Sequence, residues 1–153
     1  MAYTQELEGI FAVYDQAVAE VQKNRKMFDG VMGLGTHPGS AACHEIMDKQ
    51  VAELCQRAAA EEAPAEERLA LVRAIFEAEQ KWKGPEYARL MLTALQRHTI
   101  PIIGLLPEAD RQELADWYGK AYPRRNRLPV QDEVLAALMG VAAGTRVKRR
   151  WGR

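Results

Sequence analysis

Residues 33–48, GLGTHPGSAACHEIMD, hold two of the three histidines and one of the two cysteines of the chain. His44 and Asp48 are four residues apart, so on a helix they lie on the same stripe. A carboxylate that holds an imidazole occurs behind metal ligands and in general bases, and it is also an ordinary local hydrogen bond. Because a metal ion needs three or four ligands, this pair is at most half of a site.

The other half would come from Glu79 and His98, which lie on the apolar faces of two later predicted helices. Polar groups in such positions must be paired, since burying an isolated carboxylate is costly. If these helices pack together, His44, Asp48, Glu79 and His98 converge in the interior and bind a divalent metal or a small ligand, with His37 as a movable further group. The alternative interpretation is an internal hydrogen-bond network with no ligand.

Cys43 is a candidate for nucleophilic chemistry. In the first turn of the second predicted helix, the helix dipole would lower its pKa, and His37 could act as its base. This arrangement predicts a thiol-dependent enzyme. However, Cys43 also lies on the apolar face, where a free cysteine usually behaves as a small hydrophobic residue. Cys43 and Cys55 are about 18 Å apart along one helix and cannot form a disulfide there. Two free thiols predict a cytoplasmic protein.

The glycines of residues 33–39 are not typical of a nucleotide-binding loop. Such a loop needs a preceding strand and, in the Walker form, a lysine followed by serine or threonine, and the segment has neither. We therefore expect a tight turn between two helices.

Apolar residues recur every three or four positions along most of the chain, which predicts helices. The first two predicted helices span about 4–28 and 40–62, and later ones begin near Pro64, Pro85, Pro107 and Pro129. Gly84 suits a left-handed cap at the end of the third predicted helix, and Pro101 should stop or kink the fourth, before an apolar connector. The apolar faces of the first and fourth predicted helices include Phe11, Tyr14 and Tyr87. No alternating strand pattern appears. We expect an all-α fold, a helical bundle of four main helices plus one or two shorter C-terminal helices, forming a single domain over residues 1–143.

Charge is distributed unevenly, although 21 basic residues balance 21 acidic ones. Residues 144–153 contain five basic residues, so they are predicted to form a basic, disordered tail. The remainder of the chain is acidic, which argues against a nucleic-acid-binding protein.

The most apolar segment lies near the C-terminus. Its run VLAALMGVAAG, residues 134–144, is shorter than the roughly 18 residues that a membrane span needs, so a soluble protein is expected. The helix Val130–Ala143 is apolar on nearly all sides, and it should be buried in the domain or in a homodimer. The function expected first is binding or self-association without a catalytic centre. A metal-binding or ligand-binding bundle and a thiol enzyme are the alternatives.

Overall fold

The computed structural model of the protein describes residues 2–32 and 38–141, with side chains for 3–21, 23 and 42–141. This part of the chain is almost entirely helical and contains no β-strand, so the predicted all-α class is confirmed. In chain order the elements are α1 (Ala2–Met32), α2 (Pro38–Ala60), α3 (Ala65–Lys81), α4 (Glu86–Leu95), a 3-10 turn (Gln96–Thr99), α5 (Ile100–Ile103), α6 (Glu108–Ala121), a second 3-10 turn (Arg124–Asn126) and α7 (Pro129–Met139).

Prolines mark the beginnings of four helices, as the sequence predicts. Pro64, Pro85 and Pro107 each precede a helix in an extended conformation, and their carbonyl oxygens accept hydrogen bonds from the first helical turn at 3.0–3.3 Å. Proline suits this position because the first N–H groups of a helix have no partner inside the helix. Pro129 begins α7, where the side chain of Gln131 accepts a 2.7 Å hydrogen bond from the N–H of Leu128.

Pro101 has a different role from the predicted one. It was expected to stop or kink the fourth helix, with an apolar connector after it. Instead, the helix tightens into a 3-10 turn before Pro101, and the proline lies in the first turn of α5, where its missing N–H is tolerated. Ile102 and Ile103 are fully buried, so the segment forms part of the core.

The core is formed where α1, α2 and α3 meet the helices that follow. α1 packs against α2 and α3, while α2 also contacts α4, α5 and the first 3-10 turn. The largest fully buried side chains of the core are Leu7, Met47, Leu54, Leu71, Ile75, Phe76, Leu95, Ile102, Ile103, Tyr118, Leu135 and Leu138.

The C-terminal helix α7 is buried in its own chain. It packs against α4, α5, α6 and the first 3-10 turn, and Val134, Leu135 and Leu138 are at most 1% exposed. It ends at Met139, before the predicted end at residue 143, because Gly140 adopts the left-handed conformation with φ of 73°. Much of the apolar surface of the helix is thus buried within its own chain.

The predicted turn covers residues 33–39. Its residues 33–37, with His37, lie outside the described residues, whereas Pro38 and Gly39 already belong to α2, so the turn is shorter than predicted. The predicted tail at 144–153 also lies outside the described residues. Within the residues described, no helix has both the length and the apolar composition needed to cross a membrane.

Candidate functional site

Asp48 and His98 lie together, as the sequence hypothesis requires. The first 3-10 turn brings His98 against α2, and His98 Nε2 is 2.8 Å from Asp48 Oδ1. Arg97 of the same turn donates a longer hydrogen bond, 3.4 Å, to that carboxylate oxygen. Asp48 therefore holds the imidazole in one orientation and lies beside a guanidinium group, on a half-exposed surface.

Glu79 belongs to a separate buried group, which we call the Glu79 network: Glu79, Gln96, Tyr118 and Tyr122. The Tyr122 hydroxyl donates a 2.5 Å hydrogen bond to Glu79 Oε1 and accepts one of 3.1 Å from Gln96 Nε2. The Tyr118 hydroxyl donates to Gln96 Oε1 at 2.5 Å. Arg89 lies 3.6 Å from the second oxygen of Glu79. The four side chains of the network thus pair with one another, whereas Nε of Arg89 beside them is buried without a hydrogen-bond partner among the described residues.

Burial and the hydrogen bond to Glu79 raise the pKa of Tyr122 to about 12. Burial also raises the pKa of Tyr118. Both phenols therefore stay protonated at neutral pH and act as hydrogen-bond donors. The network has the properties of an internal structural network, which was the alternative interpretation of Glu79.

His44 lies in a third place, among aromatic rings. Its ring centroid is 5.6 Å from that of Tyr14 on α1 and 5.7 Å from that of Tyr87 on α4. We call these three residues the Tyr14 cluster. The hydroxyls of Tyr14 and Tyr87 and the Nε2 atom of His44 are all buried, and none has a hydrogen-bond partner among the residues that the structure describes. Desolvation lowers the pKa of His44 and raises that of Tyr14, so these two side chains are neutral near pH 7.

The expected convergence of His44, Asp48, Glu79 and His98 on one cluster is therefore wrong, and only Asp48 and His98 make contact. They separate because Glu79 accepts a hydrogen bond from Tyr122, directly after α6, whereas the ring of His44 lies between α1 and α4. Among the residues that the structure describes, no three histidine, cysteine, aspartate or glutamate side chains are grouped so that they could hold a metal ion.

Cys43 does not have the environment expected of a nucleophile. Because α2 begins at Pro38, Cys43 lies beyond the first helical turn, where the helix dipole acts most strongly. Burial is the largest influence on its thiol and raises the pKa, although backbone hydrogen bonds oppose the change. The predicted lowering of the Cys43 pKa is therefore wrong. Cys55 is 2% exposed in the core, with its pKa raised by burial to about 12.

A pocket of about 480 Å³ opens beside the Tyr14 cluster, between α1 and the junction of α3 and α4. Its apolar wall is formed by Phe11, Tyr14, Trp82 and Leu92, together with two alanines, and we call it the aromatic pocket. The Trp82 and Tyr14 rings lie 6.0 Å apart between centroids. The remaining lining residues carry charge, with acidic side chains on α1 and basic ones on the opposite side: Glu8, Asp15, Lys81 and Lys83.

Gly84 keeps the Trp82 wall in place. A Cβ atom at position 84 would lie 2.5 Å from Cζ2 of Trp82, too close for the indole to remain there. The sequence suggested a left-handed cap at Gly84, but among the described glycines only Gly140 has a positive φ. The requirement at position 84 is therefore space for the ring. The Trp82 indole also donates a 3.0 Å hydrogen bond to the carbonyl of Pro85.

A larger, open groove of about 980 Å³ runs between α1 and α2. Charged and polar side chains form much of its lining, and an ion pair between Arg57 and Glu6 lies at it. Ile10 and Val13 contribute apolar side chains to this lining. This groove lacks the continuous aromatic wall of the aromatic pocket.

Sequence reasoning missed the aromatic residues of the pocket. Phe11 and Tyr14 were assigned to the apolar face of the first helix and Tyr87 to that of the fourth, which is where core residues also lie. Aromatic residues make up only 7% of the chain, so their spacing on α1 and around Gly84 was the available signal. Helix periodicity does not distinguish a pocket wall from a filled core.

No protein-family model matches the chain. No curated protein and no solved structure gives a significant match to it.

Proposed function

We propose that the protein binds a small, largely apolar ligand in the aromatic pocket. The observation that carries the proposal is a pocket with an apolar and aromatic wall that includes Tyr14, whose buried hydroxyl has no hydrogen-bond partner. At about 480 Å³, it falls within the range of typical small-molecule sites, roughly 300–1,000 Å³. Aromatic walls supply much of the binding energy in such sites, and a few polar groups fix the orientation of the ligand.

The Tyr14 cluster supports the proposal through its hydrogen bonding. Buried polar atoms in native proteins nearly always have partners, and leaving one unpaired costs about 1–3 kcal/mol. The three unpaired atoms belong to His44 of α2 and to the two tyrosines of α1 and α4 whose rings lie 5.6 and 5.7 Å from the His44 ring. Tyr14 belongs both to this cluster and to the pocket wall, so a polar group on the ligand has a partner available once the Tyr14 side chain turns.

The charges at the pocket suggest what kind of substituent the ligand carries. Glu8 and Asp15 stand on the α1 side, and Lys81 and Lys83 stand on the other. All four are exposed, and Lys81 already pairs with Glu77 at 3.5 Å. Exposed charges contribute little to affinity, so their effect is on the orientation and selection of ligands. An aromatic ring that bears an amine, a carboxylate or both fits this arrangement.

The test uses four probes with one ring system and different charge: indole, tryptamine, indole-3-acetate and tryptophan. Binding is measured by calorimetry and by thermal unfolding. A ligand present at about 100 times its Kd stabilises the folded state by about 2.7 kcal/mol, so even a weak probe raises the Tm measurably.

Two substitutions on the same helix provide the matched pair. Ala12 is exposed and lines the pocket. Ala19 is also exposed, about two turns further along α1, and is not among the residues that line the pocket. We expect Ala12→Trp to abolish probe binding by filling the pocket and Ala19→Trp to leave it unchanged. The proposal fails if none of the four probes binds the wild-type protein, or if both variants bind them equally well.

Two further predictions accompany this one and rest on the sequence. The first is a homodimer through Val130–Ala143, for which light scattering gives the mass in solution. The second is a cytoplasmic location, for which fractionation of the source cells is the measurement. Neither is needed for the pocket to bind its ligand.

A further inference from the structure

A second recess lies on another face of the molecule, between α2 and α5. It measures about 360 Å³, and its polar lining residues are Gln56, Arg97 and His98. The other lining residues are small or rigid, namely three alanines of α2 and Pro101. Short side chains leave room above the polar groups, so a molecule of several heavy atoms fits there.

Asp48 sets the chemistry of His98 in this recess. Because ionised Asp48 can only accept, the 2.8 Å contact places a hydrogen on Nε2 of His98. In the neutral imidazole, Nδ1 is then an acceptor. The contact with Asp48 uses Nε2, so Nδ1 takes no part in that hydrogen bond. The side chain is 17% exposed, so the ring is neither sealed in the core nor free in solvent.

Arg97 supplies positive charge beside this acceptor. Its side chain is 53% exposed and contacts Asp48 through one nitrogen at 3.4 Å. A guanidinium group has five N–H donors, so most of them remain for another anion. The recess thus offers an anion-binding group and a hydrogen-bond acceptor on consecutive residues of one 3-10 turn.

We propose that this recess binds a small oxyanion that carries a hydroxyl group beside its negative charge. The anionic oxygens accept hydrogen bonds from Arg97, and the hydroxyl donates to Nδ1 of His98. Hydrogenphosphate and small 2-hydroxycarboxylates share this chemistry. Sulfate and simple carboxylates carry the charge at neutral pH but have no hydroxyl to donate.

Two matched pairs of probes test the proposal on the intact chain at pH 8: inorganic phosphate against sulfate, and lactate against propionate. Affinities come from calorimetry and from chemical-shift titration of the His98 ring nitrogens. We expect at least one hydroxylated probe to bind about three- to tenfold more tightly than its partner, the value of one neutral hydrogen bond. The pair that shows this preference identifies the source of the hydroxyl.

Three substitutions separate the two contacts. Arg97→Ala should weaken binding about tenfold or more, whereas Arg73→Ala, at another exposed ion-paired arginine, should not change it. His98→Phe should remove the preference for the hydroxylated probe while Arg97 still attracts the anion. Circular dichroism confirms that each variant is folded, and Arg97→Ala changes only an exposed side chain.

The proposal is overturned if neither phosphate nor lactate binds saturably, if sulfate and propionate bind as tightly as their partners, or if Arg73→Ala and Arg97→Ala have equal effects. None of these outcomes depends on the aromatic pocket, which lies on α1, α3 and α4.

Discussion

The Glu79 network and the Tyr14 cluster have similar compositions, since each contains two tyrosines and a titratable side chain. They differ in whether their polar groups are paired by hydrogen bonds. In the Glu79 network, Tyr118 donates to Gln96, Gln96 donates to Tyr122, and Tyr122 donates to Glu79. In the Tyr14 cluster, both hydroxyls and Nε2 of His44 are buried without partners.

This difference distinguishes a structural network from a candidate binding site. A fully paired buried network is rigid and helps to specify one arrangement of the core. An unpaired group in a native protein usually marks a place where water or a ligand completes the hydrogen bonds. A pocket adjoins the Tyr14 cluster through Tyr14, and this agrees with a binding role for that side of the molecule.

The largest expected effect on stability comes from a substitution that breaks the Glu79 network. Glu79→Ala leaves Tyr122 without its acceptor and removes the buried carboxylate beside Arg89, which then pairs with the exposed Glu86, so we expect the free energy of unfolding to fall by about 3 kcal/mol. Denaturant unfolding measures this loss. Glu77→Ala is the control, because Glu77 is a half-exposed neighbour on α3 that pairs with Lys81 at 3.5 Å, and its loss should change stability by less than about 0.5 kcal/mol. Equal losses in the two variants would show that the network is not structural.

A pair of tyrosine substitutions compares the two regions directly. Tyr122→Phe removes a hydroxyl with two partners, and we expect a loss of about 1–2 kcal/mol. Tyr14→Phe removes a hydroxyl with none, so without ligand the variant should be as stable as the wild type or up to about 1 kcal/mol more stable. Chemical denaturation of both variants is the measurement. A loss in Tyr14→Phe as large as in Tyr122→Phe would contradict the distinction.

The Tyr14 cluster should also respond to acid. Desolvation lowers the pKa of His44 below 6.5, its ordinary value, so the unfolded chain takes up this proton at a higher pH than the folded one. The stability contributed by neutral His44 is therefore fully present above about pH 6.5 and is lost as the pH falls below it. His44→Phe should reduce the loss between pH 7 and 5. A stability difference from the wild type that does not vary with pH would contradict this prediction.

The smallest expected effect concerns the thiols. Burial raises the pKa of both Cys43 and Cys55, so neither is an activated nucleophile. With a disulfide reagent at pH 7.5, we expect Cys43 to react more slowly than free cysteine and Cys55 to react only when the protein unfolds. A Cys43 rate well above that of free cysteine would restore the thiol-enzyme hypothesis.

The sequence predicts the helical elements well because their signals are local. Proline and apolar periodicity identify the starts of α3, α4, α6 and α7 within a residue or two. Pro101 is the exception among the prolines, because it does not mark the boundary of a helix. It lies inside α5, and the next two residues, Ile102 and Ile103, are helical and buried. Gly84 was placed at the correct boundary for a different reason, since the ring of Trp82 requires the space.

The candidate sites were only partly predictable because they depend on contacts between helices. The contact between Asp48 and His98 joins residues 50 positions apart, and the sequence identified both members without showing that they meet. Glu79 and His44 also lie on inward faces, but they contact Tyr122 and Tyr14, which come from other segments of the chain. The spacing of residues in the sequence does not reveal how those segments are oriented. The same limit hid the aromatic pocket, since a pocket wall and a core face have the same periodicity.

The most direct test of the aromatic pocket is a set of intermolecular nuclear Overhauser effects between indole-3-acetate and the methyl groups of the protein. We expect contacts from the indole ring to the methyl groups of Ala12, Ala78 and Leu92, which line the pocket. Contacts instead to Ile10 and Val13 in the groove between α1 and α2, or no contacts at saturating probe, would contradict the proposed binding function.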